Sequence, residues 1–311
     1  MSEPFLRWAG NKRRLLPVLR LALPPGRRLI EPFLGAASVF LGTTYPAYLL
    51  NDANADLIDL YRILRDRTDE LLAAARELFR ANRSDQDTYG RLRRHFNAAP
   101  PGSLERAATF LWLNATCFNG LCRYSAEGAF NVPRGGRSTP PSLPEARLRA
   151  FAAKARQDGV IFRQGDFSAV MAEAGEGDVV YCAPPYLPRS STASFTRYAR
   201  DGFPPERHEE LAAAARAAAA RGASVVISNS DTPATRALHA DALLLPARLP
   251  HLVGGPARSR AGELLLLHGP DRGAPLWRLA RPTEAPHAAP TPRDRQPRLP
   301  LALHADMAPA P

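Results

Sequence analysis

Seven short apolar runs punctuate the chain: RRLIEPF (27–33), AYLLND (47–52), GVIFRQGD (159–166), DVVYC (178–182), ASVVISN (223–229), ALLLPARL (242–249) and ELLLLHG (263–269). Most are apolar at consecutive positions and are bounded by Gly, Pro or Asp. Strands covered on both faces have this pattern, so a central parallel sheet flanked by helices is expected. Helical stretches fall between the runs. The clearest is PERHEELAAAARAAAARG (205–222), with acids in its first turn and Gly222 as its stop. The fold class is therefore α/β. From about 57 to 148 the alternation breaks into a mostly helical stretch with a polar loop, CFNGLCRYSAEGAFNVPRGGRSTPPS. It reads as an inserted domain, with residues 1–56 and 149–272 forming the sheet domain around it. Residues 273–311 carry 9 prolines and no sustained periodicity, which predicts a flexible tail.

Hydrophobic residues make up 45% of the 311 and charged residues 23%, which excludes a disordered or fibrous chain. Lys and Arg number 41 against 30 Asp and Glu, a formal net charge of +11. That balance favours a polyanionic partner such as nucleic acid. Only Lys12 and Lys154 are lysines, however, and an Arg-, Ala- and Pro-rich usage can also reflect genome composition. Cys117, Cys122 and Cys182 are odd in number and lack metal-ligand spacing, so a reducing compartment, no disulfide frame and no metal are expected. No apolar run approaches the ~18 residues of a membrane span and no signal peptide opens the chain. The expectation is a soluble, cytoplasmic monomer with no membrane partner.

Five segments carry candidate chemistry. In LIEPFLGAASVF, Gly35 permits a turn after a strand, and small Ala36, Ala37 and Ser38 let a ligand approach the backbone; an ordinary strand-to-helix turn is the alternative. In NDANADL, Asp52 stands at the tip of the next strand, where an acid can accept both ribose hydroxyls or cap a helix. Together the two favour an adenosine-bearing ligand. FLRWAGNKRRLLP holds Trp8 and Lys12 around Ala9 and Gly10, suited to a cofactor's charged tail or to a surface cluster. QGDF places Asp166 where it can accept from an adenine amine, or simply form a polar turn. DVVYCAPPYLP is the most specific. Pro184 and Pro185 stiffen the loop, the Pro184 carbonyl is an acceptor, and Tyr186 can stack on a base turned out of a duplex. A polar residue before the prolines would add a second acceptor to draw an exocyclic amine's hydrogens out of plane. Ala183 has none.

Collinear from about residue 4 to 269, these segments resemble the Dam-type DNA adenine-N6 methyltransferases, which use S-adenosylmethionine. The resemblance implies a Rossmann-like methyltransferase sheet with an inserted, mainly helical DNA-recognition domain, acting on double-stranded DNA. It implies Trp8, Ala9, Gly10 and Lys12 at the cofactor's methionine end, Phe33, Gly35 and Ser38 lining the site, Asp52 on the ribose, and Asp166 with Phe167 at the adenine. The family's Asp-Pro-Pro-Tyr falls on Ala183, Pro184, Pro185 and Tyr186. Residues 118–135 resemble the family's DNA-reading hairpin: Phe118 matches a wedging aromatic, and Asn119, Leu121, Arg123 and Pro133 match base-contacting positions, with Arg7 also on the DNA side. GATC is the implied site, and Arg reading guanine in the major groove fits it. Three residues depart from the family pattern: Asn11 replaces a glycine, Ala115 an arginine, and Ala183 the catalytic aspartate. Loss of one preorganised polar contact costs ~10²- to 10³-fold in rate, so slow or undetectable methylation is expected. A non-catalytic, cofactor-binding DNA reader and an amine methyltransferase acting on RNA or protein are the alternatives.

Overall fold

The computed structural model describes residues 3–136, 139–187, 203–247 and 263–282. A short 3-10 turn, Lys12–Arg14, precedes α1 (Leu16–Ala22), β1 (Arg28–Glu31), α2 (Ser38–Gly42), β2 (Ala47–Asp52) and α3 (Ala55–Asp66). Then come α4 (Thr68–Ala81), α5 (Gln86–Ala98), α6 (Leu104–Thr116) and α7 (Glu145–Ala155). The chain returns to the sheet with β3 (Val160–Gln164), α8 (Phe167–Ala172), β4 (Asp178–Cys182), α9 (Pro205–Ala220) and β5 (Ser224–Ser230). It finishes with α10 (Pro233–Leu238), β6 (Leu243–Ala247), β7 (Glu263–His268), a 3-10 turn at Pro275–Leu279 and β8 (Arg281–Pro282). Residues 248 and 249, read as the end of the sixth strand, lie outside the described residues.

The strands form one eight-stranded sheet in the order β3-β2-β1-β4-β5-β7-β6-β8. The first five are parallel, but β7 runs antiparallel between β5 and β6, and β8 pairs antiparallel with β6. The sheet is therefore mixed, not parallel throughout as the apolar runs suggested. Consecutive apolar residues report burial on both faces and carry no information about direction. The burial is divided residue by residue. Val179 and Tyr181 of β4 enter one hydrophobic cluster and Val180 and Cys182 the other; Leu265 and Leu267 of β7 alternate with Leu264 and Leu266 in the same way.

The first cluster extends without interruption from Tyr48 and Leu50 of β2 through Leu57 and Leu64 of α3 to Phe110 and Trp112 of α6. Residues 57 and 148, the limits of the helical stretch read from the sequence, fall inside α3 and α7, and α3 packs on β2 and β3. The second cluster lies under α8 and α9. From β1 the chain builds β2 and β3 to one side, then crosses to β4 on the other. In α/β proteins such a reversal marks, at the strand carboxyl ends, the edge where ligands bind. It sets the turn after β1 beside the loop after β4.

Residues 273–282 correct the expectation of a tail beginning at 273. Trp277 is buried and donates its indole N–H to Ala22 O at 2.8 Å, while β8 extends the sheet. One aromatic anchor orders a segment whose prolines suggest none. Residues 283–311 lie outside the described residues.

Two buried histidines give the fold a pH dependence. His208 on α9 packs edge-on to Phe203 at 4.6 Å, and His239 Nδ1 lies 3.2 Å from His268 Nε2. Burial pushes His208 down to about 4 and His239 down to about 3. Their folded values lie below the unfolded one, so the unfolded chain takes up the protons first and stability falls as pH drops below ~6.5. Urea midpoints should decline from pH 7 to pH 4.5 as the unfolded chain takes up protons that the buried His208 and His239 do not. A flat profile across that window would contradict these burials.

Candidate active site

The turn after β1 is built around Gly35, whose φ of +48° favours glycine. A Cβ there would lie 3.0 Å from Trp8 Nε1, so the indole closes directly over the backbone. Gly35 N–H donates to Asp52 Oδ2 at 2.9 Å and Asn54 N–H to Asp52 Oδ1 at 3.0 Å. The Tyr61 hydroxyl donates to Gly35 O at 2.6 Å. Burial raises the Asp52 carboxyl above its ordinary value, opposed by the two backbone donors. Ser38 Oγ donates to Asn11 Oδ1 at 2.6 Å, and that oxygen also accepts from Arg13 N–H at 2.9 Å. Asn11 thus caps the 3-10 turn and engages the Ser38 hydroxyl.

Phe33 stacks on Phe167 with centroids 5.3 Å apart and meets Phe203 edge-on at 5.7 Å, an apolar wall beside this turn. Asp166 is exposed, caps α8 by accepting from Ser168 N–H at 2.9 Å, and pairs with Arg207. The Arg207 guanidinium lies 4.5 Å over the Phe167 ring.

The loop after β4 meets the same edge. Ala183 is half-buried against the first cluster, Pro184 is buried, and Pro185 and Tyr186 are half-buried. Leu187 N–H donates to Asn229 Oδ1 at 3.2 Å, tying the loop to β5. The N-terminal segment arrives from the other side: Ala9 is half-buried, Gly10 has φ +74°, and Lys12 Nζ donates to Gly10 O at 2.8 Å. Lys12 Nζ also lies 4.5 Å over the Tyr186 ring and 4.0 Å from Glu263, which accepts from the Tyr186 hydroxyl. Burial lowers the Lys12 ammonium's pKa, and Glu263 partly opposes that.

Beyond α6 the chain forms a hairpin-like loop. Phe118 N–H donates to Pro133 O at 2.9 Å, Asn131 N–H to Arg123 O at 3.1 Å, and Gly135 N–H to Thr116 O at 2.9 Å. Phe118 is 48% exposed, unusual for a phenylalanine, and Asn119, Arg123 and Pro133 are also exposed, while Leu121 is half-buried. Arg123 Nε donates to Asn131 Oδ1 at 2.7 Å. Asn119 and Gly120 are consecutive left-handed residues, φ +53° and +66°. Arg7 joins this loop to the site. Its N–H donates to Asn114 Oδ1 at 2.9 Å, its carbonyl accepts from Asn114 Nδ2 at 2.8 Å, and its Nη1 reaches Ala115 O at 3.3 Å.

Gly120 packs against that clamp: a Cβ would fall 2.4 Å from Arg7 Cβ and 2.6 Å from Arg7 O. Gly120→Ala should therefore cost about 1–3 kcal/mol and weaken duplex affinity. Thermal melting and a gel-shift titration check it; unchanged values in both would remove this account of the loop.

A family model described as D12 class N6 adenine-specific DNA methyltransferase matches residues 8–249. The chain belongs to this family. The methyltransferase is 42% identical over 271 residues to the DNA adenine methylase of Escherichia coli strain K12, covering 86% of this chain and 96% of that one. It is 42% identical over 270 residues to the DNA adenine methylase of Serratia marcescens, covering 86% and 98%. The Vibrio cholerae serotype O1 enzyme of the same name is 39% identical over 272 residues, covering 86% and 97%. The protein is a site-specific DNA methyltransferase acting at adenine N6 of duplex DNA, with S-adenosylmethionine as cofactor. Among the described residues no helix is long and apolar enough to cross a membrane, and no group of three or more His, Cys, Asp or Glu is placed to hold a metal ion.

Sequence reasoning did not single out three residues that contact the candidate ones. Arg207 reads as one more charge on α9, and Asn229 as the last polar position of an apolar strand. Glu263 opens the run ELLLLHG, and its charge ahead of four leucines was the one available signal. Only the reversed direction of β7 brings it to the strand carboxyl ends.

Proposed function

We propose that S-adenosylmethionine binds in the crevice between the turn after β1 and the loop after β4, and that the loop 117–135 faces the DNA. The observation carrying this reading is the contact chain across the crevice: Trp8 over Gly35, Gly35 on Asp52, and Lys12 between Gly10 O and the Tyr186 ring. The residues suit the cofactor. Gly35 lets the Trp8 indole lie directly on the turn, and a Cβ at Gly165 beside Asp166 would meet nothing within 4 Å, so that edge is open to a ligand. In this assignment Trp8, Ala9, Gly10 and Lys12 hold the methionine end, Phe33, Gly35 and Ser38 line the pocket, Asp52 takes the ribose, and Asp166 with Phe167 takes the adenine. Asp52 has lone pairs beyond its two backbone bonds with which to accept hydroxyls. Asp166 must be shared with, or released by, Arg207.

When bound, the cofactor supplies an already activated methyl group on its sulfonium. The protein's task is then orientation and exclusion of water. Tyr186 stacks on the extruded adenine and the Pro184 carbonyl accepts from its N6 amine. An aspartate at position 183 would accept the second hydrogen, and Ala183 supplies no acceptor. We therefore infer that this chain methylates slowly or not at all. Exposed Phe118, Asn119, Arg123 and Pro133, with Leu121 and Arg7, form the reading surface, and GATC is the proposed site. The protein acts as a cytoplasmic monomer in this scheme, with residues 57–148 serving recognition. A cofactor-binding DNA reader without turnover is the second reading, and Ala183 is the observation that favours it.

The test restores the acceptor with Ala183→Asp and measures labelled methyl transfer to duplexes containing GATC or a permuted tetranucleotide, with RNA and protein as controls. Transfer confined to GATC duplexes supports the proposal. No transfer by a variant that still binds cofactor and duplex favours the non-catalytic reader.

A further inference from the structure

We propose that Glu263 is the positioning residue of the base-holding loop, its carboxylate orienting the Tyr186 ring and the Lys12 ammonium together. The inference rests on the assignment of residues 183–186 to the extruded base.

Three independent features converge on this side chain. The first is topological. Glu263 pairs with Ser230, the last residue of β5, because β7 runs backwards; the start of a reversed strand therefore lies where the parallel strands end. The second is the bonding. Glu263 accepts from the Tyr186 hydroxyl and lies 4.0 Å from Lys12 Nζ, with 17% and 12% of the two ionic side chains exposed. Such partly dehydrated charges attract more strongly than a solvated surface pair. The third is the ring itself. Lys12 Nζ lies 4.5 Å over one face of Tyr186, so a base stacking on this ring would use the opposite face.

These contacts assign each atom a task. The hydroxyl bond fixes where the tip of the phenol ring lies, and the ammonium over its face resists roll of the ring. The ion pair, with Gly10 O at 2.8 Å, holds Lys12 over the occupied face. Without the carboxylate the Tyr186 hydroxyl keeps only Ser228 and Lys12 keeps only Gly10 O, and the loosened ring can turn from the angle that brings a stacked adenine toward the methyl donor. Small misplacements of this kind cost about a hundredfold in rate. A role limited to anchoring the start of β7 would instead lower stability and leave turnover by the folded enzyme unchanged.

The experiment compares Glu263→Ala and Glu263→Gln in the Ala183→Asp background. Glutamine keeps an acceptor for the Tyr186 hydroxyl and removes the charge facing Lys12; alanine removes both. Alanine should lower kcat about 10- to 100-fold with the cofactor KM within about threefold. Glutamine should recover most of kcat and move the alkaline limb of its pH profile downward, because Lys12 loses its anion. Unchanged kcat in Glu263→Ala overturns the proposal, as does an equal kcat loss in both variants tracking an equal fall in melting temperature. If Ala183→Asp alone yields no product, the catalytic assignment of position 183 fails separately. The orienting role is then read in the unaltered chain with 2-aminopurine at the target position: Glu263→Ala should brighten it by loss of stacking on Tyr186, and an unchanged signal overturns the role.

Discussion

Replacing Ala183 with aspartate is expected to raise the rate of adenine N6 methylation about 10²- to 10³-fold, the equivalent of about 2.7–4 kcal/mol at the transition state. The amine of adenine is a poor nucleophile because its lone pair is delocalised into the ring. A pair of acceptors must hold its two hydrogens as the nitrogen becomes tetrahedral. In the proposed scheme the loop supplies one acceptor, the Pro184 carbonyl, just after the fully buried strand end at Cys182. Ala183 is half-buried, not sealed in the core, so a carboxylate there keeps a path to solvent and to the crevice. The change should therefore leave folding intact and appear almost entirely in kcat. Single-turnover methyl transfer measures it, with calorimetric cofactor binding as the control. Equal rates before and after substitution, with cofactor bound in both, would refute the role assigned to position 183.

The second large effect is expected at Asp52. Its two oxygens each accept a backbone N–H, from Gly35 and Asn54, so this one carboxylate holds the turn after β1 and the start of α3 in register. Asparagine can satisfy only one of the two, because its amide nitrogen would face the other donor head-on. One backbone N–H left unpaired costs ~1–3 kcal/mol. Asp52→Asn should thus weaken S-adenosylmethionine binding roughly 10- to 100-fold, tenfold for each 1.4 kcal/mol, and lower the melting temperature. Calorimetric titration and thermal melting test both parts. Cofactor affinity within twofold of the unaltered chain would show that Asp52 shapes neither the turn nor the ligand. The same carboxylate reaches toward the DNA side: Asn54, which it holds, donates to Cys122 Sγ at 3.1 Å, and Tyr124 donates to Asp56 at 2.6 Å. Duplex affinity measured on Asp52→Asn will show how far the hairpin depends on this helix start.

The chain itself determined the locations of seven strands, because residues covered on both faces must be apolar at successive positions. It also displayed most of the candidate chemistry, because Gly35, Asp52, Asp166 and the two prolines stand at strand ends, where local backbone demands and ligand chemistry coincide. Tertiary structure decided the rest. The direction of β7, the anchoring of Trp277 on Ala22 and the pairing of Asp166 with Arg207 each join segments far apart in sequence. The energies that select such contacts depend on which surfaces remain uncovered after the local elements form. Glu263 shows the difference most clearly: as the first letter of an apolar run it is an ordinary charge, and only strand reversal sets it against Tyr186 and Lys12.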